Sequence, residues 1–298
     1  MITNRVKDKK LFNKTKWGYL FLTPWFLIFV IFYGYPLLYG LFVSFTDYNL
    51  KGMNWTAFQN YKNIFNDYAF WRSLLAMLLY CLFIVPLRTF IPLWIANTLR
   101  PHGKTFNTLT KILIYLPGVV CTSALVIAWK FMLTPGTGLA NVILKSLGLG
   151  DISLLDDAKI SIPILSLLTA FSNMGTNLIV YCAAINSIPN TYYEAAEIDG
   201  ARKSTQFFRI TIPMLHSTTI YAVVTSTIAT LQIFIIPQLM TGGGPNYTSS
   251  SLLILIYNSA FINQKFGYAS AIGVVLFTIT AIVAFIQFKI TKRENIEY

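Results

Sequence analysis

The stretch Glu194-Ala195-Ala196-Glu197-Ile198-Asp199-Gly200, continued to Ile210-Thr211-Ile212-Pro213, is a charged, helix-forming island. Charge-free sequence lies on both sides, from Ile160 to Tyr193 and from Ile210 to Gln264. An island set between runs long enough to cross a bilayer predicts a membrane protein that holds a shaped surface outside the lipid. Thr191-Tyr192-Tyr193-Glu194 has the spacing of a capping box, with Pro189 and Asn190 as breaker and turn former just before it. A short helix is expected over 192–198, and Gly200 then permits a positive φ and a sharp change of direction. A second helical piece over 201–209 would present Phe207, Phe208 and Ile210 among basic residues, with Pro213 marking re-entry into the membrane. Small residues at Ala195 and Ala196 allow another surface to approach closely. On these residues alone, a protein-docking hairpin and an amphipathic linker lying on the headgroups are both open.

The rest of the chain supports a bilayer setting. Of 298 residues, 55% are hydrophobic and 11% charged, against about 25% charged in a soluble domain. The net charge of +12 is spread between apolar runs, not gathered in one basic stripe, which argues against nucleic acid as a partner. Charge-poor runs predict six spans near 18–45, 74–98, 110–133, 161–186, 214–240 and 268–289. The long run after Ile210 is divided by Thr241-Gly242-Gly243-Gly244-Pro245-Asn246, which cannot continue a helix. The first apolar run exceeds the about 7–15 residues of a cleavable signal and is read as a retained helix. The domain plan is a basic tail (1–16), a transmembrane domain (17–290) interrupted by the loop 189–213, and a second tail (291–298). Cys81, Cys121 and Cys182 lie in apolar runs and read as buried, inert thiols.

Lysine and arginine set the orientation. Fifteen lie in the N-terminal tail, the second and fourth loops and the C-terminal tail, and seven on the opposite side. Both termini and the loop carrying Glu194 are therefore expected in the cytoplasm.

The spacing of the island resembles the EAA signature of ABC-importer permeases: EAA, three residues, Gly, nine residues, then Ile-x-Leu-Pro. Gly200 and Ile210 fall in register, and Ile212 stands where the family usually has Leu. Further segments are similar to the permease subunits of maltose, lactose and multiple-sugar importers. These are Phe32-Tyr33-Gly34-Tyr35-Pro36-Leu37, Ser44-Phe45-Thr46-Asp47-Tyr48, Asn60-Tyr61 with Phe65-Asn66-Asp67, and the Gly242-Gly243-Gly244-Pro245 loop leading to Phe266-Gly267-Tyr268-Ala269-Ser270-Ala271. The resemblance implies an all-α integral membrane protein with six transmembrane helices, the MetI-like fold of type I ABC importers with cytoplasmic EAA coupling helices. It implies ATPase coupling through Glu194, Ala195, Ala196, Asp199, Gly200, Ala201, Phe207, Ile210 and Pro213. It also implies a bacterial cytoplasmic membrane location and several partners: a second homologous permease subunit, a cytoplasmic ABC ATPase pair and an external solute-binding protein.

The chain shows no energy source of its own. Gly103-Lys104-Thr105 lacks the earlier glycine of a phosphate loop, since that position is Thr98. No cofactor is expected on this chain; ATP and Mg belong to the partner ATPase. His102 and His216 have neither metal nor triad spacing, so no catalytic residue is assigned. For the substrate path the candidates are Asn173, Asn177 and Tyr181, four residues apart on the fourth span, together with Gln232 and Arg88. Amides and an aromatic plane suit a sugar's hydroxyls and ring face; the competing reading is hydrogen bonding between helices. Arg88, at a cost of about 2.5–3.5 kcal/mol near a span centre, would meet an acidic substrate, a carbonyl, water or the partner subunit. The function expected is a permease subunit of an ATP-driven, binding-protein-dependent carbohydrate importer. The alternatives are an ATP-independent secondary transporter or channel, which the lack of carboxylates in the spans disfavours, and a membrane enzyme.

Overall fold

The computed structural model describes residues 19–100, 103–148, 153–157 and 159–294. The expected tail 1–16 lies outside the described residues, as does His102; of the expected tail 291–298, residues 295–298 lie outside them, while 291–294 continue the last helix. The described chain is helical: α1 (Tyr19–Val43), α2 (Gln59–Asn66), α3 (Tyr68–Leu99), α4 (Lys104–Val119), α5 (Thr122–Met132), α6 (Leu139–Ser146) and α7 (Ser161–Asn186). There follow α8 (Thr191–Ile198), α9 (Lys203–Gln206), α10 (His216–Leu231), α11 (Ile235–Thr241), α12 (Leu252–Ile262) and α13 (Phe266–Glu294).

Among the described residues, α1, α3, α7 and α13 are long and apolar enough to cross a bilayer singly, and the number is six if each of two bent pairs counts as one broken span. The third span is not one helix near 110–133. It is α4 and α5 at 95° to each other, because Val120 and Cys121 are extended. Pro117, with no N–H to give, sits in the last turn before them. The fifth span is likewise divided into α10 and α11, bent by 42°. The second span starts well before 74, at Tyr68. There Asp67 caps the helix by accepting from the Ala69 N–H at 2.8 Å, and its other oxygen takes the Tyr268 hydroxyl at 2.6 Å. Cys182 is buried and Cys81 half-buried as expected of apolar runs, but Cys121 is exposed, since it occupies the α4–α5 break.

The bundle is organised around α3, which packs on α7 and α10, while α4 lies along α7. Glycine makes that last approach possible. A Cβ on Gly175 would stand 2.7 Å from the Tyr115 Cα, so only a residue without a side chain lets the two backbones meet. One of three apolar clusters joins Leu93, Leu99, Leu178, Ile185 and Leu215 to Tyr193 of α8. The charged island is thereby continuous with the core of the helical bundle. Conversely, α1 is almost wholly exposed, with Phe21 at 81%, as suits a helix solvated by lipid or by another subunit.

Candidate functional site

The island folds as the expected hairpin, with different local chemistry at its start. Asn190 already has helical φ and ψ of −62° and −25°, so Thr191 is the first residue of α8 and no side chain caps it. The capping box does not form; the Glu194 N–H donates to the Asn190 carbonyl at 3.0 Å. At the other end, the Ala201 N–H reaches the Ala196 carbonyl at 2.8 Å and the Gly200 N–H reaches that of Glu197 at 3.0 Å, with Gly200 at φ +74°. This is a Schellman motif, which closes a helix by reversing the chain. An exposed ion pair between Lys203 and Glu197 spans the turn. Its hydrogen bond and charge hold the Glu197 carboxyl below the usual carboxylate range.

The second limb starts at Lys203 rather than 201 and runs further than 209. A π turn (Phe207–Thr211) and a short helix (Ile212–Met214) continue it to α10. The π turn lies directly before Pro213, which has no N–H to offer the Arg209 carbonyl. Pro213 therefore sits inside a bent helical path and is exposed. The aromatic residues divide between two faces. Phe207 and Ile210 pack on the transmembrane core, whereas Phe208 is 65% exposed and Ile198 88% exposed. Glu194, Ala195, Asp199 and Gly200 are exposed with them; Ala196 and Ala201 are half-buried. The hairpin thus shows an apolar-and-acidic face outward and anchors its opposite face.

The anchor is specific. Arg100, at the end of α3, donates through Nη2 to Asn190 Oδ1 at 2.8 Å. Its guanidinium carbon lies 3.2 Å from the centroid of the Tyr193 ring, a stacked cation–π contact. The Tyr193 hydroxyl pairs with Thr211 Oγ1 at 3.0 Å, and that oxygen stands 3.5 Å from Asn97 Oδ1 on α3. Tyr193 and Thr211 are buried. A cavity of 570 Å³ opens beside them, bounded by Arg100, Glu194, Glu197, Lys203 and Gln206. Among the described residues no cluster of His, Cys, Asp and Glu is arranged to hold a metal.

A protein-family model described as "binding-protein-dependent transport system inner membrane component" matches residues 69–295, a range that includes both limbs of the hairpin. The chain belongs to this family. The lactose transport system permease protein LacF of Rhizobium radiobacter is 30% identical over 293 residues, covering 96% of this chain and 97% of that protein. The multiple sugar-binding transport system permease protein MsmF of Streptococcus mutans is 29% identical over 291 residues, covering 96% and 98%. In fold, this permease superposes with a TM-score of 0.84 on a chain of a bacterial alginate ABC transporter, solved in complex with an alginate pentasaccharide-bound periplasmic protein. That likeness covers 96% of this chain and 98% of that one at 24% identity.

Within the permease's spans, the polar residues do not converge on one cavity. Asn177 is buried and joins three helices: its Nδ2 donates to the Arg88 carbonyl of α3 at 2.6 Å and to Ser226 Oγ of α10 at 3.1 Å. The reason lies on α3. Pro92 is four residues after Arg88 and inside the helix, so the Arg88 carbonyl has no intrahelical donor. Asn177 supplies one. Tyr181 is fully buried, and its hydroxyl has no hydrogen-bond partner among the described residues. Asn173 is exposed and bonds its own helix at Thr169. Four residues advance a helix by about 400°, so a stripe of that spacing drifts by about 40° per step and leaves the buried face. Gln232 is exposed at the α10–α11 break. Arg88 is half-buried, and its Nε has no partner.

Sequence reasoning did not single out Arg100, Asn97 and Asn190. Arg100 entered only the charge count and Asn190 only as a turn former. Their shared feature, polar residues at the mouths of two different spans, becomes legible once α3 and α8 are known to abut. On the opposite end, Asp47, Asn49, Asn63, Asp67, Tyr247 and Tyr268 line a polar cavity of 710 Å³.

Proposed function

We propose that this permease is one half of the transmembrane gate of an ATP-driven importer that carries a carbohydrate, of oligosaccharide size, into a bacterial cell. The observation that carries this reading is the hairpin from Thr191 to Met214. It exposes Glu194, Ala195, Ile198 and Phe208, and is rooted in the transmembrane core through Tyr193 and Phe207. A surface of that kind receives a push from a separate machine and passes it to the spans. The relatives' names, for lactose and multiple-sugar uptake, support a carbohydrate cargo. The excess of lysine and arginine on the hairpin's side supports a cytoplasmic hairpin and cytoplasmic termini in the cell membrane.

In this mechanism the chain is non-catalytic. ATP and Mg²⁺ bind an ATPase pair in the cytoplasm, and closure of that pair moves the exposed face of α8. A second homologous permease completes the pathway and covers surfaces such as α1. An external solute-binding protein delivers the sugar, as a periplasmic protein accompanies the alginate transporter. Co-expression of this chain with its companion permease and ATPase, followed by reconstitution into vesicles, tests the reading. Uptake should require ATP and all components, and Glu194→Ala or Gly200→Val should leave assembly intact while hydrolysis no longer drives uptake. Solute uptake by this chain alone in vesicles would overturn it.

A further inference from the structure

The anchor between α3 and α8 is more elaborate than a linker needs. It forms a closed circuit: Arg100 to Asn190 and the Tyr193 ring, Tyr193 to Thr211, and Thr211 back towards Asn97, one turn before Arg100 on the same helix. The circuit joins three segments distant in sequence, the end of α3, the start of α8 and the π turn before α10. Two of its members are shut away from solvent, Thr211 at 0% and Tyr193 at 4% exposure.

We infer that Arg100 is a positioning residue through which movement of the cytoplasmic hairpin reaches α3. The proposal rests on the coupling role given to the hairpin above. Without the clasp, α8 is tied to the bundle by its own chain, into α7 through Ser187–Pro189 and into α10 through the second limb. Beyond these ties, Phe207 and Ile210 share an apolar cluster with Leu93 and Leu99 of α3, a non-directional contact, whereas the clasp is a directional link to α3, the helix that contacts both α7 and α10 and carries Arg88. The planar guanidinium suits this task. It stacks on a ring and donates in its own plane at once, which a lysine ammonium cannot do. Its reach across two helix ends makes a contact that has to move with α8 or break. Tyr193 serves as the pivot, since its ring takes the cation on one face while its hydroxyl holds the other limb.

The test uses the whole importer, purified with its companion permease and ATPase, and hydrogen exchange read by mass spectrometry. The probe is ATP with vanadate, which arrests the ATPase in its closed state, so no sugar has to be identified. In the wild type, trapping should change amide exchange both in 191–198 and in the last turns of α3, 93–99. In Arg100→Ala the hairpin should still respond, while the response of 93–99 falls by about two- to fivefold, the factor set by an exposed cation–π contact. Arg100→Lys should lie between the two. Asn190→Asp, which turns a hydrogen bond from a charged donor to a neutral acceptor into an ion pair, should keep the response. Tyr193→Phe keeps the ring and should retain most of the α3 response while loosening the second limb. A merely structural role would alter exchange equally with and without vanadate. Undiminished response of 93–99 in Arg100→Ala overturns the inference. Absence of any hairpin response in the wild type would instead overturn the coupling reading on which it rests.

Discussion

Replacing Asn177 isolates one physical claim: that its amide exists to satisfy a carbonyl that Pro92 leaves open. Asn177→Ala removes a 2.6 Å donor from the Arg88 carbonyl and a 3.1 Å contact to Ser226, at a residue 4% exposed. A buried polar group stripped of its partner costs about 1–3 kcal/mol in soluble proteins. Hydrogen bonds between membrane helices average only about 0.6 and reach about 1.7 kcal/mol. The short bond to a carbonyl without an alternative donor belongs near the upper membrane value, so a loss of about 1.5 kcal/mol is expected. Pro92→Ala restores an N–H one turn after Arg88, and the carbonyl regains an intrahelical donor. In that background Asn177→Ala should forfeit only the Ser226 contact, about 0.6 kcal/mol. The double-mutant cycle should therefore give a coupling of about 0.5–1 kcal/mol. Reversible unfolding of the purified permease by SDS titration measures all four corners. A cost for Asn177→Ala that is the same with and without Pro92 would refute the account, and Asn177 would then have to be explained by another contact, the substrate path included.

Three further outcomes are expected. Gly175→Leu drives a side chain into the Tyr115 backbone, where even a Cβ would stand at 2.7 Å; it should separate α4 from α7 and lower stability by about 1–3 kcal/mol or more in the same titration, whereas Gly273→Ala, with open space around it, should change it little. Gly200→Ala should weaken the Schellman turn by about 1 kcal/mol, because φ is +74° although no atom obstructs a Cβ; hydrogen exchange across 191–203 reads it, and unchanged protection would count against the turn's importance. The Glu197 carboxyl titrates below its usual range, so the Lys203 pair is complete above the ordinary carboxylate pKa and is lost as pH falls through the lowered one. Hairpin exchange, corrected for its intrinsic pH dependence, should accelerate in acid in the wild type and show no such transition in Lys203→Ala.

The island's helix, turn and second limb were readable because each depends on neighbours in sequence. Gly200 in a positive-φ reversal and Pro213 at the approach to the fifth span follow from backbone sterics alone. Thr191 as a cap failed for a local reason too small to read: Asn190 joined the helical conformation and moved the start upstream. The breaks in the third and fifth spans escaped because hydropathy records burial in lipid, not direction. Val120-Cys121 and Gln232-Ile233 are as apolar or as neutral as their surroundings. The polar residues of the spans divided for another reason. Asn177 and Asn173 share a period, yet only Asn177 lies opposite a carbonyl released by a proline on a different helix.

By itself, the sequence determined that this chain belongs in a bilayer, where its apolar runs lie, and which charged segment between two of them folds as a hairpin. Those properties are sums or short-range patterns of side-chain transfer energies and backbone preferences. Only the tertiary structure decided that Arg100 reaches Tyr193 and Asn190 across about 90 residues, that Gly175 is the contact point of α4, and that the partner of Asn177 is the Arg88 carbonyl. Each of these is a meeting of surfaces whose separation along the chain carries no local signal, and whose geometry exists only when the helices have packed.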